Sequence, residues 1–122
     1  MMKITKKQYQ LFIDKAHGFI EVFGLKDWDI SFEFGGTDSG DQASVVFHLG
    51  NRVCTFNFST TSRSKLSDKK ISKIAFHEVC ELFFAEFRIH MDRQPEITDQ
   101  IIHAKIRTLE NILYSSMVED DE

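Results

Sequence analysis

Residues 77–81 of this 122-residue chain read His77-Glu78-Val79-Cys80-Glu81. His77 and Glu81 are four apart, so on a helix both project from one face about a turn apart. This is the spacing by which two side chains of one helix grip a single cation. Glu78 follows the histidine directly, where the pattern H-E-x-x-H places its general base. Here Glu81 stands where the second histidine would be, and the pattern is H-E-x-x-E. The chemistry it would support is hydrolysis of an amide. A bound ion lowers the pKa of water from about 15.7 towards about 7. Glu78 takes that proton and later gives it to the leaving amine. A carboxylate ligand is compatible with zinc, because sites of two His and one Glu work, but its charge makes the ion a weaker electrophile.

A third ligand has to come from elsewhere in the chain. His103 and Asp99, further along, and His90, between the two segments, are the candidates. At 100° per residue, the apolar face of the last helix centres between Ile101 and Leu109. His103 then lies roughly 130° from that centre and Asp99 roughly 90°, which favours Asp99 for burial. The competing reading needs no metal: His77 and Glu81 bond to each other, or pair with Arg88 or Arg107. Cys80 reads as a small buried hydrophobe. Arg107 and Glu110 read as a local ion pair.

Three helices must carry these groups. Tyr9, Phe12, Ile13, Ala16, Phe19, Ile20 and Phe23 form one apolar stripe, predicting a helix over about 5–23. Thr5 with Gln8 suits a capping box, and Gly24-Leu25 a left-handed C-terminal cap. The second helix starts after Ser67, a good N-cap, and runs to about Arg88. Its second half, with Val79, Leu82, Phe83, Phe84 and Phe87, is apolar on nearly every side and predicts a buried helix. Pro95 opens the third, whose apolar face carries Ile97, Ile101, Ile102, Ile106, Leu109, Ile112 and Leu113.

Between the first two helices the pattern changes to strands. Trp28, Ile30, Phe32 and Phe34 alternate with polar residues. Residues 44–49 and 52–58 flank Gly50-Asn51, which fits a tight hairpin of the II′ type. The expected fold is α+β, with an N-terminal helix, a small three-stranded antiparallel sheet, the buried motif helix and a C-terminal helix. One domain spans residues 1–122, with an ordered core over about 5–115 and an acidic tail at 117–122.

Composition limits the function classes. Twelve Phe against one Pro and one Trp imply a core built mainly from aromatic rings. A net charge of −4 argues against a protein that coats nucleic acid. The basic stretch from Arg63 to Lys73 is the one local exception, where contact with phosphate is conceivable. No apolar run is long enough for a membrane span, and no secretory signal follows the N-terminal lysines. Cys54 and Cys80 make no disulfide framework. The expectation is a soluble cytoplasmic protein.

A helix, then Gly24-Leu25-Lys26-Asp27-Trp28 opening a strand, a hairpin, H-E on a helix, and a final Ile106-Arg107-Thr108-Leu109-Glu110-Asn111 together resemble a family. The chain is similar over roughly residues 8–113 to minimal zincin-like, SprT-related metallopeptidase domains, closest to the short versions of bacteriophages and integrated elements. The resemblance implies His77 as metal ligand, Glu78 as general base, Glu81 at the second ligand position and His103 as third ligand, with zinc as the ion. It implies that strand 52–58 is the sheet edge beside the cleft, where a peptide could add through main-chain hydrogen bonds. Glu81 departs from the family's histidine. The function expected is a small metallopeptidase-like protein of phage type with weak or absent activity. The alternative is a non-catalytic protein that binds a host protein on the same scaffold.

Overall fold

The computed structural model describes residues 1–37, 40–85 and 95–114, with the backbone alone at Pro95, Ile97 and Thr98. Strand β1 (Met2–Lys3) leads into helix α1 (Lys6–Val22). Strands β2 (Asp29–Phe34), β3 (Ala43–His48), β4 (Val53–Phe58) and β5 (Thr61–Ser62) follow. Helix α2 (Asp68–Phe83) and helix α3 (Pro95–Leu109) come next, and α3 passes into a π-helical turn over Glu110–Tyr114. The class is α+β.

Helix α1 begins and ends where its sequence signals stand. Thr5 Oγ1 accepts from Gln8 N at 3.1 Å, while Thr5 N donates to Gln8 Oε1 at 2.8 Å. Gly24 adopts φ +69°. Gly24 N donates to Glu21 O at 3.1 Å and Leu25 N to Ile20 O at 3.0 Å. This pair of bonds closes the helix in a Schellman motif, satisfying two carbonyls that would otherwise lack partners.

The main sheet differs from the expected antiparallel meander. Its order is β2-β4-β3, with β4 antiparallel to β3 and parallel to β2. Gly35 and Gln42, at the two ends of the connection from β2 to β3, both bond to residues at the end of β4. Gly35 N donates to Phe58 O at 2.7 Å, and Ser59 N to Gln42 O at 2.8 Å. Skipping one strand means spanning about 9.6 Å, two inter-strand spacings, which a two-residue turn cannot do. Alternation within a strand does not encode its neighbours, so the central place of β4 was not legible locally.

The register joins the three strands into apolar rungs: Ile30–Cys54–Phe47, Phe32–Phe56–Val45 and Phe34–Phe58–Ala43. Phe56 and Phe58 are fully buried. Helix α1 covers this face. Tyr9 stacks on Phe34 at 4.6 Å and Phe12 on Phe58 at 4.6 Å between centroids. Helix α2 packs against α1 edge-on through Phe19 and Phe76, 5.1 Å apart, and lies beside β3. Offset and edge-on ring pairs suit the aromatic quadrupole. Phe12, Phe56, Phe58 and Phe76, all fully buried, thus form the centre of a layer between sheet and helices.

Three local expectations are corrected. The β3–β4 connection is a four-residue loop, 49–52, because His48 pairs with Val53. Its left-handed residue is Arg52 (φ 55°), not Gly50. Arg52 holds its guanidinium 5.1 Å over the Trp28 ring and 3.5 Å from Asp27. Helix α2 ends at Phe83 rather than near Arg88; Arg88 itself lies outside the described residues, as do Phe87, His90 and the acidic tail. The N-terminal residues, expected outside the ordered core, form β1 and pair antiparallel with β5. Among the described residues no helix is long and apolar enough to cross a membrane.

Candidate metal centre

Helix α2 is rolled into place by its apolar residues. Ser67 Oγ caps it by accepting from Lys70 N at 3.1 Å. Ile71, Ala75, Phe76, Val79, Cys80 and Leu82 are buried against the core. This leaves the opposite side open, so the helix is half-buried rather than apolar all round, and Phe83 is 42% exposed. His77, Glu78 and Glu81 lie half-buried at the margin between the two sides. The motif therefore lines a cleft.

Helix α3 brings the second set of groups. Its buried residues are Ile102 and Ile106, whereas Ile101 and Ile112 are exposed. The buried face is therefore centred about 50° away from the expected position, between Ile102 and Ile106. That shift brings both His103 and Asp99 about 50° closer to the buried face and keeps Asp99 the nearer of the two on the wheel, whereas the observed burial runs the other way. The His103 side chain is 34% exposed and that of Asp99 50%.

His77, Glu81 and His103 each bring one donor atom to a common place, all within 4.8 Å of one another. His103 Nε2 lies 3.3 Å from Glu81 Oε2, and His77 Nε2 lies 3.8 Å from the same oxygen. The two imidazoles are 5.7 Å apart and nearly parallel, at 21°. Each ring has a carboxylate at its other nitrogen. Asp99 Oδ2 is 3.1 Å from His103 Nδ1, and Glu110 Oε2 is 3.7 Å from His77 Nδ1. Carboxylates behind the Nδ1 atoms orient metal-ligating histidines and make them more basic.

The electrostatics favour a cation. Glu78, Glu81 and Asp99 share the cleft with Asp41 and the two histidines, and Glu110 stands behind His77. Burial, then the charges of Glu81 and Asp41, push the Glu78 carboxyl up to about 8. A carboxyl so placed can hold a proton near neutral pH.

Of the third-ligand candidates, His103 is the one that meets His77 and Glu81; Asp99 stands behind it, and His90 falls outside the described residues. Glu78 is beside the cluster and outside the donor set. His48 is exposed on β3. Cys80 is fully buried, and burial, with Glu110 and Glu81, pushes its thiol up to about 12. Glu110, read from the sequence as the partner of Arg107, turns to His77 instead. A helical wheel would have flagged it: Asp99, His103 and Glu110 stand 0, 4 and 11 residues along, within 40° of one another. The strand beside the cleft is β3, whose Ala43, Val45 and Phe47 line it; β4 is central, not the edge.

A chemical reading of this centre rests on its own geometry, because no family model, curated protein or solved structure matches the chain.

Proposed function

We propose that this chain is a zincin-like metallopeptidase-like protein of the small phage type, weakly active on amide bonds. The observation that carries the reading is the convergence of His77, Glu81 and His103 from two helices, with a carboxylate behind each imidazole. Two imidazoles and one carboxylate are a donor set that zinc accepts, leaving a coordination position for the reaction. When bound, a divalent ion supplies Lewis acidity that polarises a carbonyl and acidifies water. Glu78 borders the donor set; the charge of a bound cation would favour its ionised form, which takes a proton from water and passes it to the leaving amine. Strand β3 pairs on one side with β4, and among the described residues nothing pairs with its other edge. That edge offers main-chain groups to an extended peptide. Glu81 in place of a histidine adds negative charge at the ion and keeps the rate low. Two buried free thiols suit the reducing cytoplasm of a bacterial host.

A second reading has its own observation. Each imidazole already lies between two carboxylates, Glu81 with Glu110 or Glu81 with Asp99. Such a lattice can stand without an ion, on a non-catalytic protein that occupies a host protein through the same cleft.

Elemental analysis of the purified protein against His77→Ala and Glu81→Ala tests the first reading. One equivalent of zinc in the wild type and none in the variants is expected. No metal in any preparation, with a melting temperature unmoved by added zinc, overturns it. Glu78→Gln separates the two readings, since an enzyme loses its effect with its fold intact and a binder keeps it.

A further inference from the structure

Two cavities meet at the cluster. Ala43, His77 and Glu78 belong to both. The first, about 360 Å³, continues towards the start of α2 and is walled by Gln42, Ile74, Lys70 and Lys73, with Glu110 at its inner end. The second, about 400 Å³, continues the other way past Glu81, Asp41, Asp99 and His103. Strand β3 runs along the whole length, with Ala43 at the lysine end and Phe47 at the other. One cleft thus crosses the cluster, basic at one end and acidic at the other.

We infer that this cleft selects a peptide with an acidic side chain, anchored by Lys70 and Lys73, on one side of the group held at His77 and Glu78. The inference rests on the metallopeptidase reading for the word substrate, though the anchor itself needs only the cleft. Lys73 and Lys70 precede His77 by four and seven residues, roughly 6 and 10.5 Å along the helix axis. An extended chain rises roughly 3.3 Å per residue, so the anchored side chain is two or three residues away. Both lysines are exposed, and among the described residues neither has an ion-pair partner. Lys70 sits in the first turn of α2, where the helix dipole disfavours a cation. The local helix therefore gives no reason for a lysine there. Two carboxyl groups line this cavity, Glu78 and Glu110, and Glu110 is directed to His77 Nδ1. The walls between the ammonium groups and the cluster are Ala43 and Ile74, which suit the methylenes of a glutamate.

The acidic end decides against nucleic acid. A phosphate chain lying along the cleft would meet Asp41, Glu81 and Asp99 after leaving the lysines. A peptide can place one carboxylate at the lysines and a neutral or basic residue at the other end.

The test uses two pools of end-blocked, fluorescein-labelled decapeptides, random except for one fixed central residue, Glu in one pool and Gln in the other. Binding is read by anisotropy on the full chain, with zinc content measured on the same samples. The Glu pool is expected to bind roughly fivefold more tightly, the effect of one partly exposed ion pair. Lys70→Glu/Lys73→Glu should abolish or invert that preference. If that double variant does not fold, Lys70→Gln and Lys73→Gln singly should each reduce it. Equal binding of the two pools overturns the inference. So does a single-stranded oligonucleotide that binds more tightly than the Glu pool and is released by the same substitutions. A Glu preference in protein that retains no zinc leaves the anchor standing and removes the metallopeptidase reading alone.

Discussion

Glu81 Oε2 on α2 stands 3.3 Å from His103 Nε2 on α3, joining residues 22 apart in the chain. His77, on the same helix as Glu81, approaches the same oxygen from one turn away. Three donors thus converge because two helices cross beside β3, not because they are adjacent in sequence. Asp99 and Glu110 then hold the two rings from behind.

Asp99→Asn and Glu110→Gln should each weaken zinc binding by about 10–100-fold, the usual effect of losing a carboxylate behind a ligating histidine. Competition with a chromogenic chelator measures it. Affinities equal to wild type in both variants would show that these carboxylates do not orient a metal site.

Glu78→Gln should stabilise the metal-free protein at alkaline pH and leave it nearly unchanged at pH 4. The Glu78 carboxyl is pushed up to about 8 by burial, then by Glu81 and Asp41. A raised carboxyl contributes stability that is present below about 4.5, its ordinary value, and is lost as pH rises through about 8. Thermal melts with a chelator at pH 4, 6 and 8.5 read the difference. A variant no more stable than wild type at pH 8.5 contradicts the assigned environment.

Cys54 and Cys80 should not react with a thiol reagent at pH 8 until the protein is unfolded. Burial, with Asp29, pushes Cys54 up to about 11; Cys80 is pushed up to about 12. Only the thiolate is nucleophilic. Both values exceed the ordinary 9.0, so the thiols' share of stability is intact below pH 9 and falls above it. Two equivalents of rapid labelling in native protein would contradict the burial of both residues.

Thr5→Ala and Gly24→Ala act on opposite ends of α1. Losing the cap should cost about 1 kcal/mol, and forcing a Cβ into the left-handed region about 1–2 kcal/mol. The two ends share no partner, so the double variant should show the sum within about 0.5 kcal/mol. Urea titrations give each value. Neither site supplies a residue to the cluster, and zinc affinity should not change.

Local signals in the sequence determined the parts whose physics is local. Thr5 and Gln8, Gly24 and Leu25, and Ser67 mark helix ends by hydrogen bonds within a few residues. Alternation at Ile30, Phe32 and Phe34 marks a half-buried strand, and the facing of Val45 with Phe56 follows from the hairpin. The spacing of His77 and Glu81 places both on one side of a helix whatever surrounds it. Tertiary structure decided the rest. β4 became central because it pairs with both β2 and β3, a choice set by long-range pairing. Ile102 and Ile106, rather than Ile101, turned inward because α3 packs where α1, α2 and the sheet leave space. The packing of α3 against α2 brought His103, rather than Asp99, to Glu81 and set Glu110 at His77. Sequence spacing fixes an angle about one helix axis; only packing fixes the angle between two.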